Sequence, residues 1–255
     1  MKAVLFIVER DFKVFLRYKW WLVGLIGMNL ADLFIMAIVF TGMVRSEIVG
    51  NYFKFFAPGI TITALFAAAF VIGREINWEV RRGFSHYTLS LPIMRWELAA
   101  GRVLAGGLRG MVYMAPLLLT TFLSLGFPSP SNFLLILGTL FLLASGTSGL
   151  SIALAVSTKS FEKFVTARGV LYYMLFFCST VFYPMTVVEG VAPLPLIALA
   201  RINPLSAGAD LLRALLQAPM GATLPTVDLV KNLMVFSAIF TLSGAIAYIK
   251  ILEAR

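Results

Sequence analysis

The chain has 255 residues, of which 60% are hydrophobic and only 13% charged, with a mean hydropathy of +0.92. No soluble fold hides that much apolar surface, so composition describes an integral membrane protein and excludes a water-soluble enzyme or binding module. The net charge of +9 comes with one histidine and one cysteine, which leaves little from which to build a metal site, a His-based triad or a disulfide.

Residues 1–19 read as an amphipathic helix in the membrane interface. Leu5, Val8, Phe12 and Phe15 follow one side at helical spacing, and Arg10, Lys13 and Arg17 the other, which suits a basic face turned to lipid headgroups. The scattered charges and the lack of a short apolar core are unlike a cleaved signal.

A spanning helix needs about 20 mostly apolar residues. Six stretches qualify: 20–43, 55–73, 103–127, 133–156, 169–188 and 229–250. The first carries Asp32 near its middle, with Asn29 one turn earlier on a similar face. A charge at that depth is costly, so Asp32 either serves a substrate or proton, or bonds to a neighbouring helix. One isolated acid does not make a proton relay.

Between the second and third spans lies 74–102, with Arg74, Glu75, Glu79, Arg81, Arg82, Arg95, Glu97 and Arg102 alternating in sign. Helix-compatible runs at 74–82 and 92–102 flank the polar turn that holds His86, and Pro92 fits the first turn of the second run. A bare connection needs about five residues. A structured insert several times longer points to a surface that docks something.

Small residues four apart, Gly106/Gly110, Ser145/Gly149 and Ala64/Ala68, predict close helix contacts. The fifth span is rich in rings: Tyr172, Phe176 and Phe182 line either an apolar substrate path or a packed interface. Beyond it, 190–219 is apolar but broken by Pro193, Pro195 and Pro204, and its runs are too short to cross. Asn203 and Pro204 form a helix start, and the stretch reads as two short helices dipping into the outer leaflet and returning.

Lys and Arg set the orientation. With the N-terminus inside, only Arg45, Lys54, Arg201, Arg213 and Lys231 of the 21 fall outside. That bias puts both termini and the insert in the cytoplasm of a multi-pass plasma-membrane protein. It also explains the basic charge without nucleic acid. No GxxxxGK[ST] loop occurs, so the chain has no nucleotide hydrolysis of its own and is not read as an enzyme.

The segment "REINWEVRRGFSHYTLSLPIMRWELAAGRVLAG" resembles the cytoplasmic insert of type-2 ABC transporter permeases, with Glu75, Leu89, Pro92, Arg95, Gly101 and Arg102 at matching places. A second stretch, "FYPMTVVEGVAPLPLIALARINPLSAGADLLRALL", is similar to that family's proline-containing exit from the fifth span. Phe182, Pro184, Asn203, Pro204, Leu205, Asp210 and Arg213 carry this match. The likeness is nearest to the drug and lipo-oligosaccharide export branches. It implies one six-span permease domain over 1–255 that pairs as a homodimer or heterodimer. It also implies two copies of a separate cytoplasmic ATPase, which bind ATP and magnesium that this chain does not bind. Residues Arg74, Glu75, Glu79, Arg81, Arg82, Pro92 and Arg95 would act as a coupling helix, in a cleft shared with Arg10, Phe12 and Lys13. Asn29, Asp32, Tyr172, Phe176 and Phe182 would line the substrate path under the outer re-entrant pair. The cargo would be drug-like, a lipid or a lipid-linked saccharide. Two rivals remain at this stage: a stand-alone carrier or channel using Asp32, and a membrane enzyme acting on lipids.

Overall fold

The computed structural model describes residues 2–17, 19–43, 49–83, 92–218 and 224–253. Among them every regular element is a helix: α1 (Lys2–Arg17), α2 (Lys19–Met43), α3 (Tyr52–Ala69), α4 (Val71–Arg81), α5 (Arg95–Leu125), α6 (Pro130–Ser157), α7 (Phe161–Phe177), α8 (Met185–Val191), α9 (Leu194–Ile202), α10 (Pro204–Leu215) and α11 (Thr226–Glu253). Among the described residues five stretches are long and apolar enough to cross a membrane: Leu22–Gly42, Tyr52–Arg81, Arg95–Leu125, Pro130–Ser157 and Thr226–Glu253. They coincide with the first four predicted spans and the last. Most overrun the predicted limits, because polar turns at their ends continue the backbone ladder.

The predicted fifth span, 169–188, is displaced. Its helix, α7, begins at Phe161, where the Ser160 hydroxyl accepts the Lys163 N–H at 3.1 Å. It ends at Phe177 because other groups take the bonds that would continue it. The Ser179 hydroxyl donates to the Phe176 carbonyl at 2.6 Å, and the Asn203 amide donates to the carbonyls of Leu175 and Cys178 at 2.7 and 2.8 Å. Seventeen residues make a rod of about 26 Å, near the lower limit for crossing. The chain then runs without helix to Pro184, and α8 starts inside the stretch expected to span. The stretch 190–219 holds two short helices, α9 and α10, as expected, and α8 precedes them, starting within the predicted fifth span.

The insert also differs from expectation. Residues 74–81 are the last turns of α4, and 95–102 are the first turns of α5. Pro92 precedes α5 and does not occupy its first turn; Met94 caps it, its N–H donating to the Glu97 carboxylate at 3.3 Å. Residues 84–91, with His86 and Leu89, lie outside the described residues, and so does any separate coupling helix there.

Helix α3 is the axis of the bundle, almost wholly buried against α5, α6 and α10. It continues into α4 across Phe70. There Ser151 of α6 donates its hydroxyl to the Phe70 carbonyl and accepts the Gly73 N–H at 3.2 Å, a side-chain intrusion that interrupts the ladder. Helix α6 seats α11 through Gly149 and Gly244, where a Cβ on either would strike the other helix's main chain. Gly106 and Gly110 bring α5 against Ser148 and Ile72 and against Ala69 in the same manner. The small-residue pairs therefore pack helices within the chain. By contrast, α2 touches α3 and α5 along one side and leaves most of its apolar surface facing outward.

Alternating helix direction gathers α1, the ends of α4, α6 and α11, and the starts of α5 and α7 at one end, the charged end. Arg95 pairs with Glu253 there at 3.3 Å. The start of α3 and helices α8 to α10 lie at the opposite end, where the Tyr52 hydroxyl donates to the Phe182 carbonyl at 2.9 Å.

Candidate functional site

The charged end is built around an acid on the buried face of an amphipathic helix. Ile7, Asp11 and Phe15, each four residues apart, are the side chains α1 turns toward the protein. Leu5 and Phe6 stay exposed, so of the predicted apolar side only Phe15 is buried, with Val8 and Phe12 half-buried. Arg102 of α5 donates to the Asp11 carboxylate at 2.9 Å and also to Glu79 at the end of α4. Arg109, two turns further along α5, donates to Glu75 at 2.7 Å and to the Asp11 carbonyl at 2.7 Å. Its guanidinium lies 5.5 Å from the centroid of the Phe15 ring. Arg10 closes the group, 3.0 Å from Asp11 and 3.9 Å from Glu79.

Three carboxylates thus balance three guanidinium groups. Arg102 and Arg109 are buried, and such charges are tolerable only when paired and bonded. The node ties α1, α4 and α5 together, and Tyr248 of α11 stands against Arg102. Glu75 and Glu79, expected on a docking face, are half-buried and pair inward with Arg109 and Arg102. Lys13 is outside the node; it pairs with Glu9 at 2.6 Å on the exposed side, and its hydrogen bond holds the Glu9 carboxyl below its usual range. Phe12 is half-buried and packs beside Phe15, ring centroids 6.1 Å apart.

A second tie fixes the end of α6. Asn77 donates to the Ala155 carbonyl at 2.8 Å. Arg81 donates to Asn77 at 2.9 Å and to the Thr158 carbonyl at 2.9 Å. Exposed at this end are Arg74, Arg81, Arg82, Pro92 and Arg95, together with large apolar side chains. Arg82 stacks on Trp78 at 3.6 Å, and Trp78 and Trp96 are 46% and 53% exposed. Arginine beside tryptophan is the chemistry of interface anchors. Trp78, Met94 and Trp96 are not among the sequence-predicted site residues; tryptophan in a charged segment is the signal that marks them.

Midway along the bundle, the Asn29 amide donates to the Tyr113 hydroxyl at 2.7 Å and to the Leu25 carbonyl at 2.9 Å. Asp32, one turn on, is exposed. Tyr172 and Phe176 stack at 5.6 Å, and Phe176 meets Phe182 edge-on at 4.7 Å. Phe182 is buried against Phe56 and Phe40, while Tyr172 and Phe176 are only half-buried. These rings form one continuous stack from the middle of α7 to the break.

At the opposite end the unwound stretch after α7 is held by α10. Asn203 caps α10, its side chain accepting the Leu205 N–H at 2.9 Å with Pro204 in the first turn. Arg213 has no exposed surface. It donates to the carbonyls of Phe55, Thr180 and Val181 at 3.0, 2.9 and 3.1 Å and to Asp210 at 2.7 Å, with the Phe55 ring at 3.8 Å. Ser206 accepts the Thr180 N–H at 3.0 Å. Burial pushes the Asp210 carboxyl up, against the pull of Arg213. Pro184, also buried, starts α8. Free carbonyls inside an apolar bundle need such partners, and one planar guanidinium serves several at once.

The family model for ABC-2 type transporters matches residues 2–216, a stretch that contains both the charged node and the Asn203–Arg213 clamp. The chain belongs to the ABC-2 type transporter family. Among curated ABC-2 relatives, the daunorubicin resistance ABC transporter permease protein DrrB1 of Streptomyces coeruleorubidus is 26% identical over 226 residues, covering 87% of this chain and 77% of that protein. As an ABC-2 membrane protein the chain is a multi-pass permease, and the reading as a stand-alone carrier gives way. Membership in this family makes the chain the membrane permease subunit, not the ATPase, and implies a partner ABC ATPase.

Proposed function

We propose that the chain is the membrane half of an ATP-driven exporter that moves a hydrophobic or amphipathic substrate outward. Two copies of a cytoplasmic ATPase, which carry the ATP and magnesium, dock at the charged end on Arg74, Arg81, Arg82, Pro92, Arg95 and the exposed tryptophans. The permease itself pairs with a second permease chain. In this reading α7 completes six spans, both termini face the cytoplasm, and α8 to α10 cap the route on the outer side. A relative named for daunorubicin resistance supports drug-like cargo.

The observation that carries the proposal is the buried node of Asp11, Glu75, Glu79, Arg102 and Arg109. It makes α1 and the ends of α4 and α5 a single rigid body directly beneath the exposed docking residues. A push at the surface would move α5 and the α3–α4 rod as units, because packed helices shift rather than deform. Reconstitution tests this. Vesicles holding the permease and its ATPase should export substrate only with ATP, and vesicles holding the purified permease alone should not. Transport by the permease alone would contradict the proposal.

A further inference from the structure

Arg74 on α4 and Arg168 on α7 are cations that no anion of the fold answers. Among the described residues neither forms an ion pair or a side-chain hydrogen bond. The groups around them are engaged elsewhere. Glu75, next to Arg74, pairs with Arg109, while Arg81 donates to Asn77 and to the Thr158 carbonyl. The one acid of α7, Glu162, lies almost two turns from Arg168.

The fold brings the two arginines together. Helix α7 packs on α4, and the Arg168 guanidinium lies 5.9 Å from the centroid of the Phe70 ring. Phe70 immediately precedes α4, and Arg74 stands one turn beyond it. Helical side chains lean toward the start of their helix, so Arg74 reaches back over that turn. Each arginine is seven residues from the charged tip of its helix, Arg81 or Phe161, a common depth of about 10 Å. Exposed Trp78 lies one turn nearer the tip, where tryptophan marks the membrane–water boundary. Neighbouring like charges at that depth are unfavourable without an anion between them. Basic pockets between spanning helices take acidic lipid headgroups, and a guanidinium grips phosphate oxygens through paired N–H bonds. Deeper along α7, Val170, Tyr173, Met174 and Phe177 are exposed and offer acyl chains an apolar surface.

We propose that Arg74 and Arg168 hold the phosphate of an anionic phospholipid whose acyl chains lie along the exposed side of α7. This lipid is a bound part of the bilayer and not cargo, so the proposal stands whatever the chain exports. Arg74 is the innermost of the docking residues, and its five N–H donors let it meet a lipid phosphate beneath an ATPase seated on Arg81 and Arg82. Native mass spectrometry of the full-length permease tests the pair, with phosphatidylglycerol and phosphatidylcholine of matched chains as probes. The first phosphatidylglycerol should bind at least tenfold more tightly than phosphatidylcholine. Arg74→Gln with Arg168→Gln should abolish that preference, and the paired lysine substitutions should keep most of it. Arg95→Gln, which also deletes an exposed charge at this end, should leave it intact. On the unaltered protein in vesicles, phosphatidylglycerol with a photoactivatable acyl chain should label the α7 peptide, a result that does not hang on how the variants fold. An undiminished preference in the double glutamine variant, or labelling confined to other helices, would overturn the proposal. So would an equal loss for both lipids, which would mark altered shape and not lost charge. If the double variant keeps its lipid preference and loses the ATPase, the pair is a protein contact and the proposal fails as well.

Discussion

Arg102 and Arg109 are among the largest fully buried side chains, and each is held by groups from two other helices. Removing the acid from such an arrangement leaves a buried positive charge, which costs about 3–5 kcal/mol. Asp11→Ala should therefore lower the thermal unfolding temperature of the detergent-solubilised protein markedly, whereas Glu9→Ala, at an exposed pair one residue pair away, should leave it unchanged. At the other end, Arg213→Met strips three carbonyls of this donor and leaves Asp210 with only the Thr180 hydroxyl, and each buried group left bare costs about 1–3 kcal/mol. Folded yield should collapse in that variant, and Arg213→Lys should not restore it, since a single ammonium cannot reach the acceptors that the flat guanidinium spans. The two sites were not equally legible. Asp210 and Arg213 share a face at three-residue spacing and fall in a recognisable segment. Asp11 sits among the basic residues of an amphipathic helix, and no local pattern separates a buried acid from a solvated one; its partner lies 91 residues away.

Helices were more legible than single contacts, because a bilayer imposes a minimum apolar length that can be read directly. That rule recovers α2, α3, α5, α6 and α11. It misplaces α7, because the apolar run continues past Phe177 while the backbone does not; the break is enforced by Asn203, Ser206 and Arg213, all distant in sequence. Close crossings were legible as glycine spacing. Gly149→Val, which drives a branched side chain into the backbone of α11, should destabilise the protein by about 1–3 kcal/mol or more. Gly138→Ala on the same helix, where a Cβ meets nothing within 4 Å, should be neutral or stabilising by up to about 1 kcal/mol. Thermal unfolding of the two variants side by side checks the pair. The exposed tips of α4 and α5 give a functional counterpart: Trp78→Ala with Trp96→Ala should reduce ATPase co-purification at least tenfold at unchanged membrane expression, as loss of anchor residues does at interfaces.

At the scale of the molecule, the charges divide by end. One end gathers the ionic node and exposed arginine and tryptophan. At the opposite end Asn203, Ser206 and Arg213 turn inward to hold an unwound stretch of backbone. The middle holds a stack of aromatic rings and one unpaired acid. This polarity fits a machine pushed from one side and open on the other. The sequence already implied it through the distribution of Lys and Arg, and the fold brings the predicted inner segments to the same end. The central claim is that the charged end takes its push from the ATPase. It is tested most directly by placing a photo-crosslinking residue at Trp96 in the assembled transporter in native membranes, with a second at Lys54 on the opposite end. The account predicts an ATPase adduct from position 96 that changes in yield when ATP is added, and none from position 54. An adduct from position 54 alone, or labelling of position 96 by a membrane-impermeant reagent in intact cells, would contradict it.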